Sequence, residues 1–237
     1  MRLLVFLTLL LFPLFVISQD FRFPKLPEYA SGYEKIAPKN WNVIDTVYGD
    51  LNKDNNADMA VILEYDSFIS ENRAYGYNDV ELITEYQKPR ILAVYLRDKF
   101  SQKLHLAVQN NSFVLRAKEG GIMGDPFRRM EIDDNTLILA FEGGNEWRWK
   151  LNYTFKYQNK DLILTYANST YYNVISGEMT DHIYDFLDRK LTLVNGNIFS
   201  RNIKNKVDEE TLIFGQPRKL SEFKKPWTWE ILNNNFL

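Results

Sequence analysis

The fold class is decided by one stretch of sequence, residues 147–157, which reads WRWKLNYTFKY. Every second residue in it is aromatic or leucine, and the residues between them are Arg, Lys, Asn and Thr. Successive side chains of a β-strand point to opposite faces, so this alternation predicts a strand with one buried face and one solvated face.

The sequence on both sides of this stretch is also typical of strands. Period-two or continuous apolar patterns predict strands at 43–49, 59–63, 91–96, 104–108, 171–175, 183–187 and 191–194. Hairpins are predicted at 131–141 and 157–166, because Asp, Asn, Gln and Lys cluster at their centres. Only short helices are expected, near residue 35 and at 220–223. The chain is therefore predicted to be a mainly β, antiparallel single domain, either a sandwich or a partial-propeller-like fold.

The first residues are typical of a secretory signal. A basic start is followed by an uncharged run from Leu3 to Ile17 and then by Ser18 and Gln19. We expect residues 1–19 to be a signal peptide that is cleaved near Ser18 or Gln19. The alternative is an uncleaved anchor, but the run is shorter than the about 20 residues that span a bilayer.

The remaining chain is expected to consist of two parts. Residues 20–40 contain three prolines and are predicted to be an N-terminal arm, and residues 41–237 a β-rich domain without a further membrane span. The full chain has 29 Lys and Arg, 31 Asp and Glu, and no cysteine. This mildly acidic balance argues against a nucleic-acid binder. An exported protein without disulfides favours a bacterial source and a periplasmic or extracellular location.

The strongest chemical signal is the loop YGDLNKDNNAD, residues 48–58. Asp50, Asn52 and Asp54 stand at alternate positions, and Asp58 follows four residues later. Calcium takes about six to eight oxygen ligands, which a tight loop with alternating side-chain oxygens can supply. A backbone carbonyl near Asn56 and one or two waters would complete the shell.

The loop is not an EF-hand, because the twelfth position, where an EF-hand has glutamate, is Val61 in an apolar run. Residues 43–63 instead resemble the FG-GAP or VCBS-type module, the calcium loop of integrin-like β-propellers. The resemblance implies side-chain ligands from Asp50, Asn52, Asp54 and Asp58 and a backbone oxygen from Asn56.

The sequence departs from that family in two ways. The family usually has glycine where this chain has Asn55, and a propeller needs about four to eight blades whereas only one copy of the loop is present. The resemblance thus implies a structural Ca²⁺ ion and no complete propeller. A polar hairpin without metal is the alternative, because Asp and Asn are common turn formers.

Other candidate residues give weaker signals. His105 and His182 are the only histidines, and Asp181 next to His182 would point to the opposite face of a strand. Glu142, Glu146 and Asp125 could form a glycosidase pair only if folding brought two of them together. The loop at 119–126 is rich in glycine but lacks the Gly-Lys-Ser/Thr of a phosphate loop.

These patterns favour a non-enzymatic, envelope-associated binding module with a structural calcium ion and an unknown protein or carbohydrate ligand. The alternative is a secreted hydrolase acting on polysaccharide, which would need converging carboxylates and aromatic walls.

Overall fold

The computed structural model describes residues 21–74, 82–199, 205–232 and 235–237, so the expected signal peptide at 1–19 lies outside the described residues. The strands in this part of the chain are, in order, β1 (Tyr29–Ala30), β2 (Trp41–Gly49), β3 (Asp58–Tyr65), β4 (Ile69–Ala74), β5 (Leu82–Gln87), β6 (Arg90–Arg97), β7 (Leu104–Asn110), β8 (Phe127–Asp133), β9 (Thr136–Gly144), β10 (Trp147–Gln158), β11 (Asp161–Asn173), β12 (Glu178–Asp185), β13 (Lys190–Asn197), β14 (Lys206–Thr211), β15 (Glu230–Leu232) and β16 (Asn235–Phe236). Two single turns of 3-10 helix lie at Tyr33–Lys35 and Leu220–Glu222. The predicted mainly β class, with few short helices, is confirmed.

Two antiparallel sheets make up most of the domain. One has five strands in the order β1-β7-β6-β3-β2, and the other has seven strands in the order β14-β13-β12-β11-β10-β9-β8. The seven-stranded sheet is a meander, since each strand pairs with the next one in sequence. The fold includes a sheet that curls into half a barrel. The strands β4 and β5, and likewise β15 and β16, pair as separate hairpins.

The predicted alternation of β10 is present in its central part. Leu151, Tyr153 and Phe155 are completely buried, whereas the residues between them are partly exposed. Trp147, at the start of the strand, is 50% exposed and lies where β9 no longer pairs with β10. The buried face of β10 therefore begins only after this first tryptophan.

The central strands of the five-stranded sheet, β3 and β6, are buried on both faces. The inner face of this sheet packs against the seven-stranded sheet and forms the main core with residues that include Ala60, Ile62, Leu92, Val94, Leu139, Tyr153 and Phe155. Its outer face forms a second core with residues that include Leu26, Ile36, Trp41, Val61, Leu63, Ile91 and Tyr95. Burial on both sides explains why β3 and β6 are continuously apolar in sequence.

The segment before β2 supplies the cover of this outer face. The Tyr95 hydroxyl donates to the carbonyl of Pro27 at 3.0 Å, and the Gln109 side chain bonds the backbone of Pro24 and Leu26. The described part of the arm, from residue 21, is thus packed onto the domain by apolar contacts and by these hydrogen bonds.

The C-terminal segment closes the main core. The Asn110 Nδ2 group donates to the carbonyls of Leu220 and Phe223, both at 2.6 Å. The Phe223 ring packs at 4.7 Å from the ring of Phe113, between the two sheets. Among the described residues, no helix has the length and apolar character required to cross a bilayer.

Candidate metal loop

The loop singled out in the sequence connects β2 to β3 at the place where the two sheets meet. Its residue Leu51 is buried in the main core, although its neighbours are polar. The Asn135 Nδ2 group, from the β8–β9 turn, donates to the carbonyl of Asp50 at 2.7 Å. A Cβ atom at Gly49 would lie 2.5 Å from Cγ2 of Ile132, so only glycine permits this approach. The loop is therefore fixed to both sheets.

The first aspartate organises the backbone of the loop. One carboxylate oxygen of Asp50 accepts hydrogen bonds from the N–H groups of Lys53 and Asp54, at 2.7 and 3.2 Å, and the other accepts from Asn55 at 2.9 Å. Lys53 and Asn55 adopt left-handed backbone conformations, with φ of 65° and 63°. Asn tolerates this conformation better than most residues, so Asn55 fits its place in the loop.

The middle of the loop is a chain of short-range hydrogen bonds. The Asp54 N–H donates to Asn52 Oδ1 at 3.0 Å, and the Asn56 N–H donates to Asp54 Oδ1 at 2.8 Å. The Asn52 Nδ2 group donates to the other oxygen of Asp54 at 3.2 Å. Burial opposes ionisation of Asp54, but the hydrogen bonds from Asn56 and Asn52 outweigh it and lower the pKa of this carboxyl. Asp54 is thus an anion at neutral pH.

The last aspartate, Asp58, lies beneath the loop and is completely buried. Its Oδ2 accepts the N–H of Leu51 and its Oδ1 accepts the N–H of Arg97, both at 2.8 Å. The Arg97 side chain in turn donates Nε–H to the carbonyl of Ala57 at 2.9 Å. Burial is the largest effect on Asp58 and raises its pKa, and the charges of Asp54 and Asp50 raise it further. Asp58 therefore joins the loop to the end of β6.

The predicted ligands thus differ in burial. Asp58 is completely buried, whereas the other four are partly exposed along the loop: Asp50, Asn52, Asp54 and Asn56. No group of three or more His, Cys, Asp or Glu side chains in the described part of the chain is arranged to hold a metal ion. The chemistry of the donor set nevertheless fits a hard cation, because it consists entirely of oxygen. Each carboxylate oxygen has two lone pairs, so one that accepts a single N–H can still bind a cation.

The two histidines lie in different surroundings, and the Nε2 atom of the exposed His105 is 3.7 Å from Oε1 of Glu28. The His182 Nδ1 atom lies 3.5 Å from the Tyr184 hydroxyl, and burial lowers the pKa of the imidazole. Asp181 faces the other side of the sheet, where it accepts hydrogen bonds from Asn168 and Thr170. The prediction that Asp181 does not orient His182 is confirmed.

The three carboxylates considered for a glycosidase pair have other partners. Asp125 forms a two-pronged ion pair with the guanidinium of Arg90. Burial raises the pKa of Asp125, but Arg90 outweighs this effect and lowers it below the usual value. A general acid at neutral pH needs a raised pKa, so Asp125 is unsuited to that role. Glu146 accepts a hydrogen bond from Asn173 at 2.9 Å.

The third carboxylate lies among basic side chains. Glu142 is 3.7 Å from Arg128 and 3.6 Å from Lys150, and it accepts the hydroxyl of Tyr172 at 3.2 Å. These contacts lie on the solvated side of β9 and β10, where Lys150 pairs directly with Glu142. The arrangement is that of a cross-strand ion pair on a sheet surface.

A set of buried ion pairs was not foreseen in the sequence. Arg90 contacts Glu64 as well as Asp125, and Arg116 binds Glu71 through two nitrogen–oxygen contacts of 3.0 Å. Arg116 also lines a cavity of about 200 Å³, but its remaining N–H groups donate to the carbonyls of Arg90, Val114 and Asn111. The guanidinium is therefore fully used in holding the fold together. No sequence pattern indicates such pairing, because the partners are 26 to 45 positions apart.

Comparison of the chain with protein-family models, with curated proteins and with solved structures gives no match. The resemblance to the FG-GAP or VCBS-type module therefore rests on the sequence of residues 43–63.

Proposed function

We propose that this chain is an exported, non-enzymatic binding module whose loop, residues 50–58, holds a structural calcium ion. The observation that carries the proposal is the position of the loop. It presents an oxygen-only donor set between two sheets, and its Leu51 and Asp58 are both buried in the domain.

The residues that would bind the ion are Asp50, Asn52, Asp54 and Asp58 through side-chain oxygens and Asn56 through its carbonyl. A cation at this place would offset the mutual repulsion of three carboxylates. Burial is the main cause of the raised pKa of Asp58, and the charges of Asp54 and Asp50 add to it. It would also fix the β2–β3 connection against the β8–β9 turn. The role is structural, since the donors that would surround the ion serve the connection between strands.

The non-enzymatic part of the proposal is supported by the partners of the acidic side chains. Asp125 is held as an anion by Arg90, and Glu142 lies between two basic groups on a sheet surface. Both carboxylates thus form ion pairs within the fold, which account for their presence without a catalytic role.

The test is thermal unfolding of the protein in EDTA, with added calcium and with added magnesium. An ion that binds only the folded state adds about 2.7 kcal/mol at about a hundred times its Kd. For a domain of this size we expect calcium to raise the Tm by about 5–10 °C. Magnesium should have a smaller effect, because it requires a stricter octahedral geometry.

A matched pair of variants assigns the effect to the loop. Asp54→Asn keeps the acceptor for the Asn56 N–H but removes one negative charge, so it should abolish most of the calcium-dependent rise. The control is Asp185→Asn, which makes the same change in the seven-stranded sheet. Asp185 also caps a turn, because its carboxylate accepts the N–H groups of Leu187 and Asp188. The control should respond to calcium like the unmodified protein. An equal calcium response in all three proteins would refute the proposed site.

A further inference from the structure

An exposed aromatic pair lies at the base of the β4–β5 hairpin. The rings of Phe68, just before β4, and Tyr86, on β5, are stacked with centroids 5.3 Å apart and planes 19° from parallel. Phe68 is 39% exposed and Tyr86 is 64% exposed. A ring that is covered on one face by its neighbour can remain so exposed only if its other face is open. Tyr86 therefore presents a flat aromatic face to solvent.

Two lysines lie against the same pair. The Lys118 Nζ atom is 4.3 Å from the centroid of Phe68 and 5.9 Å from that of Tyr86, and the Lys88 Nζ atom is 5.4 Å from Phe68. Rings attract cations through their electron-rich faces, which keeps the ammonium groups at the platform. Within the described part of the chain, the contacts of both lysine head groups are to these rings and not to a carboxylate.

An open ring face next to two ammonium groups favours a ligand that has both a flat apolar surface and negative charge. Aromatic faces stack on flat apolar surfaces, such as the C–H face of a pyranose ring. Neutral sugars would leave the lysines without a partner, and a flexible polyanion without rings would leave the aromatic face unused. A chain of uronic acid units offers both a C–H face and a carboxylate on each charged sugar.

We propose that Phe68, Tyr86, Lys88 and Lys118 form a binding platform for an acidic polysaccharide. This inference rests on the proposed role as a binding module and names its ligand class. The platform shares no residue with the loop at 50–58, so the two proposals can be tested separately.

The experiment measures binding of the protein to three polymers at one fixed calcium concentration. Hyaluronan carries sugar rings and carboxylates, dextran carries rings alone, and poly-L-glutamate carries carboxylates alone. We expect hyaluronan to bind at least about tenfold more tightly than either of the others. The affinity should fall as the salt concentration rises, because exposed charges are screened.

Variants then assign the binding to the platform. Tyr86→Ala should weaken hyaluronan binding at least about tenfold, while Tyr86→Phe, which keeps the ring, should retain it. Lys118→Gln should weaken binding and reduce its salt dependence. Phe100→Ala and Lys103→Gln remove an exposed ring and a charge elsewhere and should leave binding unchanged.

Equal affinity for hyaluronan and poly-L-glutamate, or unchanged hyaluronan binding by Tyr86→Ala, would overturn the proposal. The calcium-dependent Tm of the same proteins separates the two proposals. If calcium raises the Tm but hyaluronan binds no more tightly than the other two polymers, the calcium loop is supported and the polysaccharide platform is refuted. If hyaluronan binding depends on Tyr86 but calcium does not change the Tm, the platform is supported and the calcium loop is refuted.

Discussion

The buried carboxylate of Asp58 accepts the backbone N–H of Arg97 at 2.8 Å, across 39 positions of sequence. Its second oxygen accepts the N–H of Leu51, so one side chain connects the loop, the start of β3 and the end of β6. Both N–H groups would lose their protein acceptor if this side chain were shortened. The carboxylate thus has a structural role whether or not a metal binds.

We expect Asp58→Ala to destabilise the protein by about 2–4 kcal/mol even in EDTA, because it leaves two N–H groups without their acceptor. The comparison is Asp54→Ala, which removes acceptors from the more exposed part of the loop and should cost about 1 kcal/mol. Urea unfolding at pH 7 in EDTA measures both values. Equal losses would contradict the central role assigned to Asp58.

The left-handed conformation of Asn55 gives a second prediction. Asn55→Gly should change the free energy of unfolding by less than about 0.5 kcal/mol, since glycine adopts a positive φ without steric cost. Asn55→Val should destabilise by about 1–3 kcal/mol, because a β-branched residue is strained there. Urea unfolding in EDTA distinguishes the two. Tolerance of valine would show that the loop does not keep φ near 63° in solution.

The ion pair between Asp125 and Arg90 predicts part of the acid sensitivity of the fold. The pKa of Asp125 is lower in the folded chain than the ordinary value of 3.8, so the unfolded chain binds the proton more readily. The stabilisation from this group is therefore fully present above about pH 4 and is lost as the pH falls through the folded-state pKa. Asp125→Asn should lose less stability between pH 5 and pH 2.5 than the unmodified protein, as measured by the urea midpoint.

The control for this titration is Asp133→Asn, at the β8–β9 turn, which removes a carboxylate outside the ion pair. Its pH dependence should follow that of the unmodified protein. An unchanged slope in Asp125→Asn would mean that the ion pair with Arg90 does not form in solution.

The hydrogen bonds of Asn110 predict that this side chain fixes the C-terminal segment to the domain. Asn110→Ala removes four contacts, two to the carbonyls of Leu220 and Phe223 and two from the N–H groups of Ser112 and Phe113. We expect a loss of about 2–4 kcal/mol, because these groups lie in the interior. The segment after residue 215 should also become more sensitive to limited proteolysis. Asn152→Ala, on the solvated side of β10, should show neither effect.

Local pattern was sufficient for strands with a clear alternation or a continuous apolar run. The alternation in β10, the apolar runs of β3 and β6, and the turn residues between β8 and β9 each predicted the observed element. The loop was equally readable up to residue 56, because Asp50, Asn52 and Asp54 accept hydrogen bonds from N–H groups within five positions. Asp58 also bonds the distant Arg97, which only the fold brings near. Its calcium ion stays a prediction.

The sequence by itself determined that the protein is antiparallel β, where several of its strands and turns lie, and that one loop carries an oxygen-rich pattern. Only the tertiary structure decided that a sheet curls into half a barrel, that Asp125 meets Arg90, and that Phe68 stacks on Tyr86. The reason is the range of the interactions. Side-chain alternation and turn chemistry act between near neighbours, whereas the partner of a buried charge or an exposed ring is set by the packing of segments far apart in sequence.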